Sequence, residues 1–291
     1  ARKWGQLHRG GAYHIITVDN GCHGRSLGAM SASAVACENR FEPQLPGFSQ
    51  VPFNDLPALH AAVDAQTVAI MLEPIQSGGG VLPATEHYLK GDERLCRELG
   101  ILLIFDEVQT GIGRCGSLLA EQQYGVRADI IALGKGLGGG VPLAALVARG
   151  NACCFEPGEL DGTHHGNALM ASAGIAVLDA LLENGFLEHL RESGLYLAEG
   201  LARLAYRYDH GPLRGNGLLW GLTLSDDCAA AVVKAALHEG LILTAAQPGC
   251  LRFTPALNIS KTHIDEMLLR LARAFSRVRT AQVQCRKGIA V

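Results

Sequence analysis

Three segments of the chain share one pattern, an unbroken apolar run that ends on a charged residue. Residues 68–72 (VAIML) run into Glu73-Pro74, 101–105 (ILLIF) into Asp106-Glu107, and 129–133 (DIIAL) into Gly134-Lys135. Unbroken runs of this length suit strands buried on both faces of a parallel sheet. Residues 13–18 (YHIITV) predict another short strand, closed by the turn cluster Asp19-Asn20-Gly21, and 141–148 predict one more. Helical segments lie between them, at 56–65 and most clearly at 85–99, where Gly100 is the stop signal. Residues 26–54, with Pro43, Pro46, Gly47 and Pro52, read as loop. Strand, helix, strand in this rhythm implies right-handed crossovers. The charged residues then sit at the carboxyl ends of the strands, the edge where open α/β sheets bind ligands. Glu73, Asp106 and Lys135 are therefore expected to converge on one cleft.

The texture changes after residue 148. A loop rich in glycine and histidine, 158–167, leads into helices expected at 168–182 and 186–206. A smaller α+β section follows, with strands expected at 218–224, 241–245 and 251–254 and a helix at 229–238. Thr262-His263-Ile264-Asp265 reads as a capping-box variant opening a last helix to about residue 278. The expected domains are 1–185 and 186–291. The segment Ala1-Arg2-Lys3-Trp4-Gly5 reads as the end of a helix closing on Gly5.

Composition narrows the class. Of 291 residues, 48% are hydrophobic and 18% charged, enough apolar side chain for a sizeable core. The formal net charge of −3, with no Lys/Arg run, argues against nucleic acid as the main partner. No apolar stretch approaches a membrane span and the start does not read as a signal peptide, so the expected setting is cytoplasmic, with no membrane partner. Nine scattered cysteines without a CxxC pair read as reduced small hydrophobes.

Lys135 sits in Gly134-Lys135-Gly136-Leu137-Gly138-Gly139-Gly140. A lone lysine among glycines is most simply a solvated turn, and the segment does not match the GxxxxGK[ST] phosphate loop. Its strand-end placement beside two carboxylates favours chemistry instead. Asp106 closes the most apolar strand, where a carboxylate is costly unless paired. Its partner is either a helix N-terminus, a structural ion pair, or the N–H of a pyridinium ring, whose electron-accepting form an ionised Asp maintains. Glu107 is an alternative capping residue, and Gln109 lies three residues beyond Asp106. His164-His165 are poorly disposed as joint metal ligands, no HExxH occurs, and no serine has a GxSxG frame. No metal site is expected.

With Asp106-Glu107-Val108-Gln109-Thr110-Gly111 and the Lys135 glycine run side by side, the chain resembles the class III aminotransferases, fold-type I enzymes dependent on pyridoxal phosphate (PLP). Further matches follow in order: His23-Gly24-Arg25-Ser26, Val51-Pro52-Phe53-Asn54-Asp55-Leu56, Glu73-Pro74-Ile75-Gln76, 163–169 (THHGNAL), Arg214-Gly215-Asn216-Gly217-Leu218 and Leu251-Arg252-Phe253-Thr254-Pro255. The acetylornithine/ornithine branch is the most similar. The resemblance implies a mainly parallel, seven-stranded-type sheet flanked by helices plus a smaller C-terminal α+β domain. It implies PLP bound as a Schiff base to Lys135, which later shuttles the substrate proton. Asp106 pairs with the ring nitrogen, Gln109 approaches the phenolic oxygen, and Cys22 and His23 belong to the cofactor pocket. Thr163 contacts the phosphate held by a neighbouring subunit, which implies a homodimer. Arg252 grips the substrate α-carboxylate, Arg25 its distal group, and Glu73 supports the site near Gln109.

The implied reaction is transamination from an ω-amino donor such as N-acetylornithine or ornithine to 2-oxoglutarate. A PLP aminomutase or racemase, or an impaired homologue that keeps the fold, are the alternatives. Four departures bear on this. Cys22 stands where the family stacks Phe or Tyr on the ring. Ser77-Gly78 stands where the branch has Gly-Glu, whose Glu is a switchable partner of the carboxylate-binding Arg. His164-His165 replace Tyr-Gly, and the family's N-terminal part, with its phosphate-binding loop, is not in these residues.

Overall fold

The computed structural model describes residues 1–33 and 41–286. It separates into two compact units, Ala1–Gln76 with Pro83–Glu183, and Ser77–Leu82 with Asn184–Val291. The chain passes from the first unit to the second between residues 183 and 184, and the short segment 77–82 belongs with the second unit, which the sequence did not suggest.

The first unit begins with α1 (Arg2–His8), β1 (His14–Val18), α2 (Leu27–Ala32), β2 (Phe48–Val51), α3 (Leu56–Ala62) and β3 (Thr67–Leu72). The two-residue strands β4 (Ile75–Gln76) and β5 (Leu82–Pro83) come next, then α4 (Glu86–Leu99), β6 (Leu102–Asp106), α5 (Glu121–Tyr124), β7 (Ile130–Leu133), β8 (Ala145–Ala148) and α6 (Ala168–Leu182). Six strands form one sheet in the order β2-β1-β3-β6-β7-β8. All pair in parallel except β8, which runs antiparallel on β7. The described sheet therefore has six strands where a seven-stranded type was expected. β3 and β6 are buried almost throughout, as unbroken apolar runs require. The loop expected over 26–54 holds α2 and β2. Both are short and their apolar positions show no period, so turn residues dominated the reading. Residues 34–40 lie outside the description.

α4 shows how local chemistry sets an element. Thr85 caps it, its hydroxyl accepting the Tyr88 N–H at 3.1 Å, and Gly100 ends it in the left-handed region at φ 59°. Tyr88, Leu89, Asp92, Leu95 and Cys96 form its buried face, spaced as one side of a helix. α1, by contrast, continues through Gly5 to His8. Gly5 is instead a packing residue, because a Cβ there would fall 1.9 Å from the Ala12 carbonyl oxygen.

The second unit carries α7 (Phe186–Arg207), β9 (Leu213–Asn216), β10 (Leu219–Thr223), α8 (Ala229–His238), β11 (Thr244–Gln247), β12 (Cys250–Phe253) and α9 (Lys261–Arg286). Its antiparallel sheet has the order β11-β12-β10-β9. Leu222, Leu251 and Phe253 join Leu190, Leu197, Leu201, Ile264, Leu271 and Phe275 of α7 and α9 in one core. Alternation along each strand then sends Gly221 and Arg252, which are cross-strand partners, to the opposite face. The proposed cap of the last helix is displaced. Ser260, not Thr262, accepts the His263 N–H, and Thr262 lies inside α9. Among the described residues no single helix is long and apolar enough to cross a membrane. The cysteines described are all free; Cys37 and the Cys285 side chain lie outside the description.

One core residue breaks the apolar rule. Asp92 is fully buried and, among the described residues, neither carboxylate oxygen has a hydrogen-bond partner; nor does the buried Tyr88 hydroxyl one turn away. Burial pushes Asp92 from its ordinary 3.8 to about 8. The native state therefore keeps a proton that the unfolded chain releases near pH 4. The associated stability is complete below that pH and is lost as pH rises through about 8. Urea denaturation should find Asp92→Asn more stable than the native chain by about 1–3 kcal/mol at pH 9 and equal to it near pH 4.

Candidate active site

The parallel strands deliver their carboxyl ends to one edge. β1 leads into Cys22 and His23, β3 into Glu73, β6 ends on Asp106, and β7 leads through Gly134 into Lys135. The chain leaves β1 for β2 on one side and returns to β3 on the other, so the crevice between β1 and β3 is a topological switch point. Glu73 spans it, accepting the Cys22 N–H at 3.1 Å. Gln76 ties the same loop from below, donating to the Asp19 carbonyl at 2.7 Å.

Asp106 is buried, and its two oxygens have separate partners. Oδ2 lies 2.9 Å from His23 Nδ1, and Oδ1 accepts the Val108 N–H at 3.0 Å. The His23 side chain is 1% exposed and its Nε2 is buried with no partner among the described residues. His23 is also fixed through its backbone, which donates to the Ser33 hydroxyl at 2.8 Å. This carboxylate–imidazole pair was not foreseen, since the two residues are 83 positions apart and only the β1-β3-β6 adjacency joins them.

Glu107 takes the helix-capping role that was one alternative for this strand end. Its carboxylate accepts the Ala120 N–H at 2.6 Å and the Glu121 N–H at 2.9 Å, at the start of α5. Burial pushes it up to about 7, against the opposing pull of these two N–H groups. Glu107 is therefore the capping carboxylate, and Asp106 is left facing the sheet edge.

Lys135 is exposed and opens a 3-10 turn, Lys135–Gly138, with its own backbone in the left-handed region at φ 42°. Its ammonium donates to Gln109 Oε1 at 2.6 Å, which ties the loop after β7 to the loop after β6. The glycines beside it serve packing. A Cβ at Gly138 would meet Leu143, one at Gly139 would meet Val177 of α6 at 2.8 Å, and Gly174 of α6 lies against Leu143 in turn. The run places the lysine against α6; close approach to a ligand is not its only use.

Burial raises Glu73 to about 7; His23 and the Cys22 N–H oppose the rise, Asp106 adds to it, and Lys135 lowers it. Glu73, His23, Asp106, Lys135 and Gln109 thus form one electrostatic cluster. Arg25 and Thr163 are exposed, without hydrogen bonds among the described residues, and Asn167 uses its side chain to cap α6. Arg252 lies in the second unit, where its Nη1 donates to the Ser77 hydroxyl at 3.1 Å and its buried Nε has no partner among the described residues. Among the described residues no group of acidic, histidine and cysteine side chains has the arrangement of a metal site.

A mainly parallel sheet with an exposed lysine amine, a buried carboxylate–imidazole pair and a carboxyl raised to about 7 gathered at its carboxyl edge is the arrangement of an α/β protein with a polar cluster where such sheets bind ligands. The family model for aminotransferase class-III matches residues 1–275. The chain is 47% identical over 283 residues to acetylornithine aminotransferase 2 of Bordetella pertussis, covering 96% of this chain and 72% of that protein. Among solved structures it is similar to the ornithine aminotransferase of Toxoplasma gondii, with a TM-score of 0.90 and 31% identity over 96% of this chain and 69% of that one. It is also similar to the N-acetylornithine aminotransferase of Stenotrophomonas maltophilia, with a TM-score of 0.82 and 32% identity over 96% and 71% of the two chains. The chain belongs to the class-III aminotransferases.

The two adjacent acids should separate in experiment. Glu107→Ala removes the acceptor of two buried N–H groups and should cost about 2–4 kcal/mol in urea denaturation. Asp106→Ala should cost less than half as much.

Proposed function

We propose that this aminotransferase uses PLP to move nitrogen from N-acetylornithine, ornithine or a similar ω-amino donor to 2-oxoglutarate, giving the semialdehyde and glutamate. The observation that carries the reading is the 2.6 Å contact that holds the exposed Lys135 amine at Gln109, itself three residues beyond the buried Asp106. Names of the relatives, acetylornithine and ornithine aminotransferases, support the donor class.

The residues present fit the cofactor. Lys135 is an accessible amine for its aldehyde. Asp106 is a buried carboxylate for the ring N–H, and Gln109 is an amide for the phenolic oxygen. His23, with an orphaned Nε2, backs Asp106. Cys22 takes the ring-face position, where a thiol covers less surface than an aromatic side chain. Thr163 is exposed in a turn, which suits a contact to the phosphate in a partner subunit of a homodimer. When bound, PLP supplies the electron sink that acidifies the C–H of the amine-bearing carbon.

The chain's own groups do the rest. Asp106 stays charged against the ring N–H, with His23 orienting it as an imidazole orients a buried carboxylate elsewhere. The Lys135 amine is the base placed to take the substrate proton and to hold it for return. Glu73, poised near neutrality, balances the charge of that lysine as its proton comes and goes. Arg252 binds the α-carboxylate through its planar fork, and Arg25 the distal group.

The test combines labelling with turnover. Borohydride treatment after adding PLP should leave pyridoxyl on Lys135 alone, and Lys135→Ala should take no label and lose at least about 1,000-fold in glutamate formation. A racemase or aminomutase would label Lys135 yet make no glutamate from 2-oxoglutarate with any amine. Label at another lysine would sink the assignment.

A further inference from the structure

Residues 77–82 are joined in sequence to the first unit but built onto the sheet of the second. Three strands hold them. Arg214 of β9 donates to the Gly80 carbonyl at 3.0 Å, Gln247 of β11 to the Gly78 carbonyl at 3.0 Å, and the Cys250 thiol of β12 reaches the Gly80 carbonyl at 3.5 Å. The register explains the convergence. Arg214 and Arg252 both lie opposite Gly221, one on each side, so both project from the face away from the helical core. Gly221 leaves that face open for the segment. A Cβ there would meet Val81 at 2.7 Å and the Gly80 oxygen at 3.0 Å. The result is a six-residue strap anchored through the Gly78 and Gly80 carbonyls and held by Arg214 and Arg252.

Ser77 begins this strap and is 4% exposed. Its hydroxyl is the acceptor for Arg252 Nη1, and Arg252 Nε is buried with no partner among the described residues. A guanidinium has five donors and a full charge. Here it meets one neutral hydroxyl and no carboxylate among the contacts described. A partly buried cation in that condition is costly until an anion arrives.

We infer that Ser77 is the specificity-determining residue of the carboxylate subsite, and that Arg214 is its positioning residue. The neutral hydroxyl orients Arg252 without competing for it, so the guanidinium is permanently open to a ligand carboxylate. Arg214, through Gly80, holds the strap at the height that brings Ser77 to Arg252. The ligand class is an amino or oxo acid that presents a carboxylate in both halves of the reaction; an amine without one gains nothing from this site. The inference rests on the reading of Arg252 as the substrate-carboxylate receptor.

The experiment uses the full chain with PLP and the unreactive dicarboxylate glutarate, titrated by calorimetry. Ser77→Asp puts an internal carboxylate against Arg252 and should weaken glutarate binding about ten-fold or more, whereas Ser77→Ala should weaken it by less than about three-fold. Arg214→Ala should weaken it about five-fold and Arg214→Lys, which keeps a donor for Gly80, should recover most of that loss. Borohydride labelling of Lys135 should be the same in all four variants. Glutarate bound as tightly by Ser77→Asp as by the native chain overturns the inference. So does a native chain that labels at Lys135 but does not bind glutarate, and that result leaves the Lys135 assignment standing. The expected glutarate pattern without label at Lys135 would overturn the cofactor reading and leave this one.

Discussion

The 2.9 Å contact between His23 and Asp106 is the interaction on which the site depends. A carboxylate at the end of an apolar strand is tolerated only with a partner, and this strand end is buried. His23 supplies one partner and the Val108 N–H another. Removing the histidine would leave Oδ2 of a buried acid without its partner. The contact also fixes topology, because it joins the first strand's loop to the fourth strand in the chain's parallel set across the intervening β3. The sheet order and the acid's survival are one condition.

The neighbouring acid shows the same sheet edge used differently. Glu107 satisfies the first N–H groups of α5, while Asp106 faces His23. Structure and chemistry are thus divided between adjacent residues, since successive side chains at a strand end point to opposite sides. Glu73 sits between the two roles. It holds the Cys22 backbone, yet burial keeps it near neutrality, where it can answer changes in the charge of Lys135. The second unit repeats the division with cations. Arg214 is committed to a backbone carbonyl, and Arg252 is left with a hydroxyl.

Much of this was legible in the sequence because apolar period and strand-end charge carry over directly. β3, β6 and β7, the bounds of α4 and α6, and the edge position of Asp106 and Lys135 all follow from local pattern. What failed was set by distant partners. β2 and β9 are four-residue strands whose pattern gains meaning only from the neighbours they pair with. β8 lies antiparallel on β7, and no feature of its four residues specifies direction. The strap at 77–82 could not be read as part of the second unit, since its anchors Arg214, Gln247 and Cys250 come more than 130 residues later. The glycine run at Lys135 was recognised, but its packing on Leu143 and Val177 was not.

The central claim is that Asp106, backed by His23, keeps a ring nitrogen protonated at this sheet edge. The direct test is the ring-nitrogen chemical shift of 15N-labelled PLP bound to the full chain. The account predicts a protonated nitrogen at pH 8 in the native chain and an unprotonated one in Asp106→Asn, with His23→Ala shifted towards the latter. The same nitrogen shift in the native chain and in Asp106→Asn would contradict it.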